Sequence, residues 1–408
     1  MIEALASQLS RKDRPLANLK AIEFTHMVMG PTVGLILADL GADVIKIEPV
    51  SGDTTRRLVG SGAGYFPMYN RNKRSIALDL KSERGLEIAR KLCLDADIVV
   101  ENFRPGTIDR LGLGYESLAA ENHRLIFCSQ KGFLDGPYAH RTALDEVAQM
   151  MGGLAYMTGP PGRPLRAGAS VIDVLGGIFG VVGILAAVEE RHRTGKGQRV
   201  TSSLYESSVF LVGQHMAQYA VTGEPAAPMP VRKSAWAIYD IFKTGDDEEL
   251  FVGVVSDSQW KVFCDAFGLN ELGADESLRT NAARVENRPR ILEAVQTAFS
   301  QYSKADLMAK LEDTGLPFAP IAKPHELDGD THLIASEGLV DITLDDGTKA
   351  KLPSLPLAMD GRRFSLFHDL PKTGEDSRAV LAEIGIDDEA YDALVSEKIV
   401  AGSRGTSE

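Results

Sequence analysis

The sequence predicts an α/β fold: a large domain built on a Rossmann-like parallel sheet covered by helices, joined to a smaller α+β domain. Short apolar runs alternate with segments of helical period over the first 130 or so positions, which is the pattern of a helix-covered parallel sheet. Near Thr222 the texture changes to the proline-rich, polar GEPAAPMPVRK, which reads as a linker. The chain has 408 residues, 44% of them hydrophobic and 25% charged, an ordinary globular balance with length for two or three domains.

The elements follow in order. LKAIEF (Leu19 to Phe24) is a strand, MGPTVGLILADLG (Met29 to Gly41) a turn and then a helix opened by Pro31, and ADVIKIE (Ala42 to Glu48) a second strand, together a βαβ unit. The pattern repeats with SIALDL (Ser75 to Leu80), the helix ERGLEIARKLCL (Glu83 to Leu94) and DIVVENF (Asp97 to Phe103), followed by RLIFCSQ (Arg124 to Gln130). GASVIDVLGGIFGVVGILAAVEE (168–190) reads as an apolar helix whose end is marked by charged residues, Gly195 and Gly197; QRVTSSLYE (Gln198 to Glu206) then reads as a strand. Beyond the linker come ELFVGVV (Glu249 to Val255) as a strand and polar helices up to about Pro320. LVDITLDDGTKAKLP follows as a hairpin turning at Asp346 and Gly347, then a polar helical tail and a frayed end, AGSRGTSE. The expected domains are therefore 1–221, 222–330 as linker and small domain, and 331–408 returning to complete the large one.

Composition removes several classes of function. A net charge of −13 disfavours nucleic acid as a partner. Cys93, Cys128 and Cys264 have neither zinc-site nor disulfide-framework spacing, and the eight histidines never fall at helical metal-ligand spacing, so no metal site is expected. The beginning lacks the pattern of a signal peptide, and the apolar run from Val174 to Val188 is shorter than the roughly 20 residues of a bilayer span, so a cytoplasmic protein without membrane contact is expected. MGPTVG places Gly30 and Gly34 without GxGxxG, although Glu48 ends the second strand where a dinucleotide fold places its ribose-binding acid. TGKGQ has Gly197 where a phosphate-binding loop needs Ser or Thr, and GxSxG and HExxH are absent.

The most out-of-place group left is a carboxylate, Asp173, at the head of the apolar helix. It fits two roles. A helix N-cap accepts bonds from the first free amides. A carboxylate shielded from water and stabilised by the helix dipole is also a nucleophile. The basic cluster RNKR, Arg71 to Arg74, likewise reads as a solvated turn or as a site that neutralises a small polyphosphate.

Six blocks in order resemble the family III CoA-transferases: EFTHMVMGP, LGADVIKIEPVSGDTTR, NRNKRSIALDL, VENFRPGTIDRLGLGY, the 171–200 segment around the apolar helix, and the late GED at 374–376. The resemblance implies the family's fold of intertwined homodimers. It implies Asp173 as the nucleophile that passes CoA from an acyl-CoA to a carboxylic acid through an aspartyl anhydride and an aspartyl-CoA thioester. The CoA thioester is then a substrate, and no permanently bound cofactor is expected. It also implies Met27 and Met29 as walls of the CoA pocket, Lys73, Arg74 and Arg110 as phosphate contacts, and Asn102 with Phe103 beside the nucleotide. Gly176 and Gly177 would admit backbone to the ligand or pack helices closely.

Two departures narrow the activity. The related acyl-CoA racemases have a histidine at the position of Leu144, and a racemase needs a proton carrier on each face of the α-carbon, so transfer is favoured over racemisation. The neighbouring Asp145 either orients substrate or caps a helix. The glycine run of the oxalate-using formyl-CoA transferases is missing between Thr222 and Phe251, where Arg232, Lys233 and Trp236 stand instead. The two cations suit the distal carboxylate of a small dicarboxylic acid, the expected acceptor, or are solvated surface. A racemase, a hydratase partner and a non-catalytic CoA binder are the alternatives.

Overall fold

The computed structural model describes residues 10–402, so the last part of the expected frayed end, from position 403 on, lies outside them. The chain divides into two compact units, Met1–Pro228 with Asp328–Glu408, and Met229–Leu327.

The first unit is built on a six-stranded sheet, all of whose pairings are parallel. Its elements are β1 (Lys20–Phe24), α1 (Met29–Asp39), β2 (Asp43–Glu48), β3 (Arg74–Ala77), α2 (Glu83–Leu94), β4 (Ile98–Glu101), β5 (Ile126–Lys131), α3 (Asp145–Met151), α4 (Val171–Thr194), β6 (Arg199–Ser203) and α5 (Leu204–Thr222). The strand order is β3-β2-β1-β4-β5-β6, so the topology reverses between β1 and β4, where open α/β sheets form their crevice. The central strands are buried on both faces. Ile22, Ile45 and Val99 pack towards α2 and the C-terminal helices Ser377–Glu383 and Asp388–Ser396; Ala21, Val44 and Val100 pack towards α1 and α4. The Asp346–Gly347 turn forms as expected, joining β10 (Leu339–Thr343) to β11 (Lys349–Pro353), with Gly347 at φ 87° and Asp346 Oδ1 accepting the Thr348 amide at 2.9 Å. Before it in the chain, the second unit pairs β7 (Ile238–Lys243), β8 (Glu249–Val254) and β9 (Phe318–Pro320) antiparallel. Helices cover this sheet around Phe242, Phe263, Phe267 and Phe299.

α4 has the length and hydropathy of a membrane span. In the fold it is a sheet-covering helix that buries Ile172, Val181, Ile184, Ala187 and Val188. The glycines let it lie close on α1: a Cβ at Gly177 would stand 2.8 Å from the Met29 carbonyl oxygen and 2.7 Å from Thr32 Cβ. α4 stops at Gly195, φ 72°, whose amide returns to the Arg191 carbonyl.

Two expectations are corrected here. The strand expected over 198–206 stops at Ser203, where α5 begins, and the Ser203 hydroxyl donates to the Glu206 carboxylate in the first turn of that helix. The RNKR cluster is not a solvated turn, since Arg71, Asn72 and Lys73 are buried. Arg71 and Asn72 both hold Asp39, at 2.7 and 2.8 Å. Lys73, with no exposed surface, holds Glu23 at 2.8 Å and the Pro31 carbonyl at 3.0 Å; burial lowers its pKa to about 8 despite Glu23. Arg74 forks onto Asp43 at 2.9 and 2.6 Å and reaches Glu383 at 2.6 Å. Lys73 and Arg74 therefore pin the sheet to α1 and to the C-terminal helices, and a phosphate contact by them would compete with these pairs.

Candidate active site

Asp173 lies in the first turn of α4 and does not cap it. The amides of Ile172 and Asp173 are taken instead by Asp145 Oδ2, at 2.8 and 3.1 Å, while Asp145 Oδ1 accepts from Gln149. Asp145 is buried, so its two oxygens serve the protein: it caps a helix, as one of its two expected roles had it, but that helix is α4 and not its own. This division leaves the Asp173 carboxylate without a hydrogen bond among the described residues. Burial pushes its pKa up to about 7, the Asp145 charge pushes the same way, and Arg166 draws it down. Tyr69 is also raised, to about 12, by burial and by the charge of Asp173.

Asp173 opens onto a cavity of about 260 Å³ lined by His26, Met27, Met29, Tyr65, Asn102, Phe103, Gln130, Lys131, Arg141, Leu144 and Asp145 among others. A second cavity, of about 640 Å³, runs over the carboxyl ends of β1, β2 and β3, lined by Phe24, Glu48, Val50, Leu80 and Lys81. His26 and Phe103 line both. The large cavity thus lies over the β1–β3 side of the topological switch, and the small one, at the ends of β1, β4 and β5, holds the Asp173 carboxylate.

The backbone between the cavities is held by side chains from three directions. Lys46, fully buried, donates to the Thr25 carbonyl at 2.6 Å and pairs with Asp53 at 3.0 Å. Asn102 brackets His26, accepting its amide at 3.1 Å and donating to its carbonyl at 2.8 Å. Thr55 gives its hydroxyl proton to Asp53 at 2.8 Å and accepts the Met27 amide at 3.2 Å. Met27 needs this support, because its φ of 65° is a left-handed value that costs a side-chain-bearing residue on the order of 1 kcal/mol. Burial lowers the pKa of His26, so its imidazole is neutral at pH 7.

Met27, Met29, Asn102, Phe103, Asp145 and Asp173 therefore come together around one cavity. Asn102 does so as a backbone clamp, and Met29 is buried against Gly176. Arg110 stays outside both cavities, exposed and bonded to Thr107 at 3.0 Å. Arg232 and Lys233 fall in the second unit, exposed and without an ion pair among the described residues. Glu48 is spent on Arg56 at 2.7 Å, Ser75 at 2.5 Å and the Asp53 amide at 2.7 Å, which removes it as a ribose ligand. Sequence reasoning missed Tyr65, Tyr69, Gln130, Lys131 and Arg141. Lys131 ends β5, and a residue at the carboxyl end of a strand in such a sheet was the available signal.

Comparison with known proteins gives the chain's family and fold. The profile of CoA-transferase family III matches residues 16–377. The chain is 34% identical to a succinate–glutarate CoA-transferase of Agrobacterium fabrum, over 93% of this chain and 98% of that protein. It is 32% identical to a formyl-CoA:oxalate CoA-transferase of Streptomyces avermitilis, over 95% of this chain and 100% of that protein. Among solved structures, a CAIB/BAIF family protein from Brucella suis superposes with a TM-score of 0.80 at 34% identity, covering 91% of this chain and 99% of that one.

Proposed function

The chain belongs to CoA-transferase family III and exchanges CoA between acyl-CoA thioesters and carboxylates, and from that premise we propose that the exchange runs through Asp173, with a small dicarboxylic acid as acceptor. The observation that carries this reading is the Asp173 carboxylate itself, poorly solvated, free of hydrogen bonds among the described residues and open to the cavity, while Asp145 holds the first-turn amides of α4.

In the proposed sequence an Asp173 oxygen attacks the thioester carbonyl and the C–S bond breaks, leaving an acyl–aspartyl anhydride and CoA thiolate. The thiolate attacks the aspartyl carbonyl and expels the donor acid as its carboxylate, which leaves an aspartyl-CoA thioester. The acceptor carboxylate repeats the first step on this thioester. The thiolate then attacks the acceptor's carbonyl, giving the new acyl-CoA and restoring the Asp173 carboxylate. No net proton is taken up and no ATP is needed. A carboxylate is favoured as nucleophile here because burial leaves it poorly hydrated. In this reading CoA's nucleotide occupies the 640 Å³ cavity and its thiol arm crosses the His26–Phe103 boundary to Asp173, since those two residues line both cavities. The dicarboxylate preference draws on the relatives, one acting on succinate and glutarate and the other on oxalate.

The test incubates the protein and its Asp173→Ala variant with succinyl-CoA and a panel of mono- and dicarboxylic acids. New thioesters and a CoA-sized mass adduct are expected from the unsubstituted protein alone. Equal turnover by Asp173→Ala would overturn the mechanism. Solvent deuterium entering the α-carbon of a 2-methylacyl-CoA would restore the racemase alternative, which Leu144, 60% exposed where a proton carrier is needed, does not favour.

A further inference from the structure

We propose that Arg141 is the anchor for the distal carboxylate of the dicarboxylic acid, or of the dicarboxylyl group, held at Asp173; this rests on the reading of Asp173 as the transfer centre. Three cations, Arg104, Lys131 and Arg141, line the small cavity. Lys131 is committed, with Nζ 2.6 Å from Glu101 and donating to the Phe103 carbonyl at 3.0 Å. Arg166, the cation that acts on Asp173 through its charge, is paired with Glu146. Arg104 and Arg141 meet no carboxylate among the described residues.

Their positions separate them. Arg104 also lines only the small cavity, but it follows directly on Phe103, which lines both and marks where the CoA arm enters. Arg141 belongs to the 141–146 segment, which lines only the small cavity and carries Leu144 and the helix-capping Asp145. Its guanidinium lies over the Tyr138 ring, 4.2 Å from the centroid, and its amide donates to the Tyr138 carbonyl at 2.9 Å, so the head is steadied without being neutralised. A site already holding Asp145 and Asp173 repels a dianion unless a cation compensates, and a planar guanidinium binds a carboxylate through two parallel bonds. Leu144, exposed beside it, supplies apolar surface for the methylenes between the two carboxylates.

The test compares Arg141→Gln and Arg141→Lys with the unsubstituted protein, using glutarate against pentanoate as acceptors and measuring the Kd of free CoA in parallel. Arg141→Gln is expected to raise the KM for glutarate roughly tenfold or more, the worth of a charge-assisted pair, and to leave kcat/KM for pentanoate and the Kd of CoA within about twofold. Arg141→Lys falls between. An equal loss for both acids, or a weakened CoA, would overturn the anchor while leaving Asp173 as nucleophile, since the aspartyl adduct would still form. Absence of any Asp173-dependent transfer in the unsubstituted protein removes the premise and the anchor together.

Discussion

At the scale of single residues, Asp173 links stability to pH in an uncommon direction. Its folded-state pKa of about 7 exceeds the ordinary 3.8, so between these values the folded protein keeps a proton that the unfolded chain has released. Stability contributed at low pH is therefore lost as pH rises through this window, and the full penalty stands above pH 7. At about 1.4 kcal/mol per unit the penalty reaches at most about 4 kcal/mol. Asp173→Asn keeps the shape and removes the charge, so it is expected to unfold later than the unsubstituted protein at pH 8 and at the same denaturant concentration at pH 3; a variant no more stable at pH 8 would contradict the burial argument. The same titration gates chemistry. Adduct formation from acyl-CoA should rise tenfold per pH unit below about 7 and level off above it, read by quenching at short times. The place of Asp173 was legible in the sequence, as a lone charge heading an apolar helix. Its unbonded state was not, because Asp145, which takes the amides of Ile172 and Asp173 in the first turn of α4, lies 28 residues before Asp173 in the chain.

Among the elements, α4 depends on parts that other segments supply. Asp145→Asn keeps an oxygen for the Ile172 and Asp173 amides but removes the charge, and is expected to cost about 1 kcal/mol of stability. It also takes away a like charge near Asp173, so the pH profile of adduct formation should move to lower pH. A loss of stability with an unmoved profile would show that Asp145 acts on the helix alone. Against α1, the close approach at Gly177 is set by backbone, since the Met29 carbonyl cannot turn aside as a side chain would. Gly177→Ala should force the helices apart, cost about 1–3 kcal/mol and shift Met29, whereas a fully stable, fully active variant would mean the contact yields. Helix and strand periods made the βαβ units readable because they are local. The buried pairs that fasten them were not readable: Arg71 finds Asp39 from 32 residues away and Arg74 finds Glu383 from 309, so the run RNKR looked like surface while each member was already assigned. The turn at Met27 escaped for the same reason, since Lys46, Thr55 and Asn102 converge on it from separate strands and loops.

For the whole molecule, the outward faces of α4 and α5 carry several exposed apolar side chains. Ile178, Val182 and Leu185 follow one another at helical spacing on α4, with Val182 56% exposed. On α5, Phe210 is 70% exposed and Met216 and Tyr219 more than half exposed, and Phe210 meets Phe179 of α4 edge-on at 5.2 Å, so the two helices present one continuous patch. Such a patch marks a protein interface. We infer that a second copy of this chain covers it, in keeping with the intertwined dimer that the sequence resemblance implies, and the relation of chain order to the two units fits: the chain leaves the large unit at Pro228 and returns at Asp328. Sedimentation equilibrium should give twice the 44.1 kDa chain mass at micromolar concentration. Phe210→Asp combined with Val182→Asp places two charges in the covered face, where unpaired ions are strongly disfavoured, and should yield either monomers or aggregated chains with loss of transfer. A monomeric unsubstituted protein, or a doubly substituted one that stays dimeric and active, would show that another partner covers these helices.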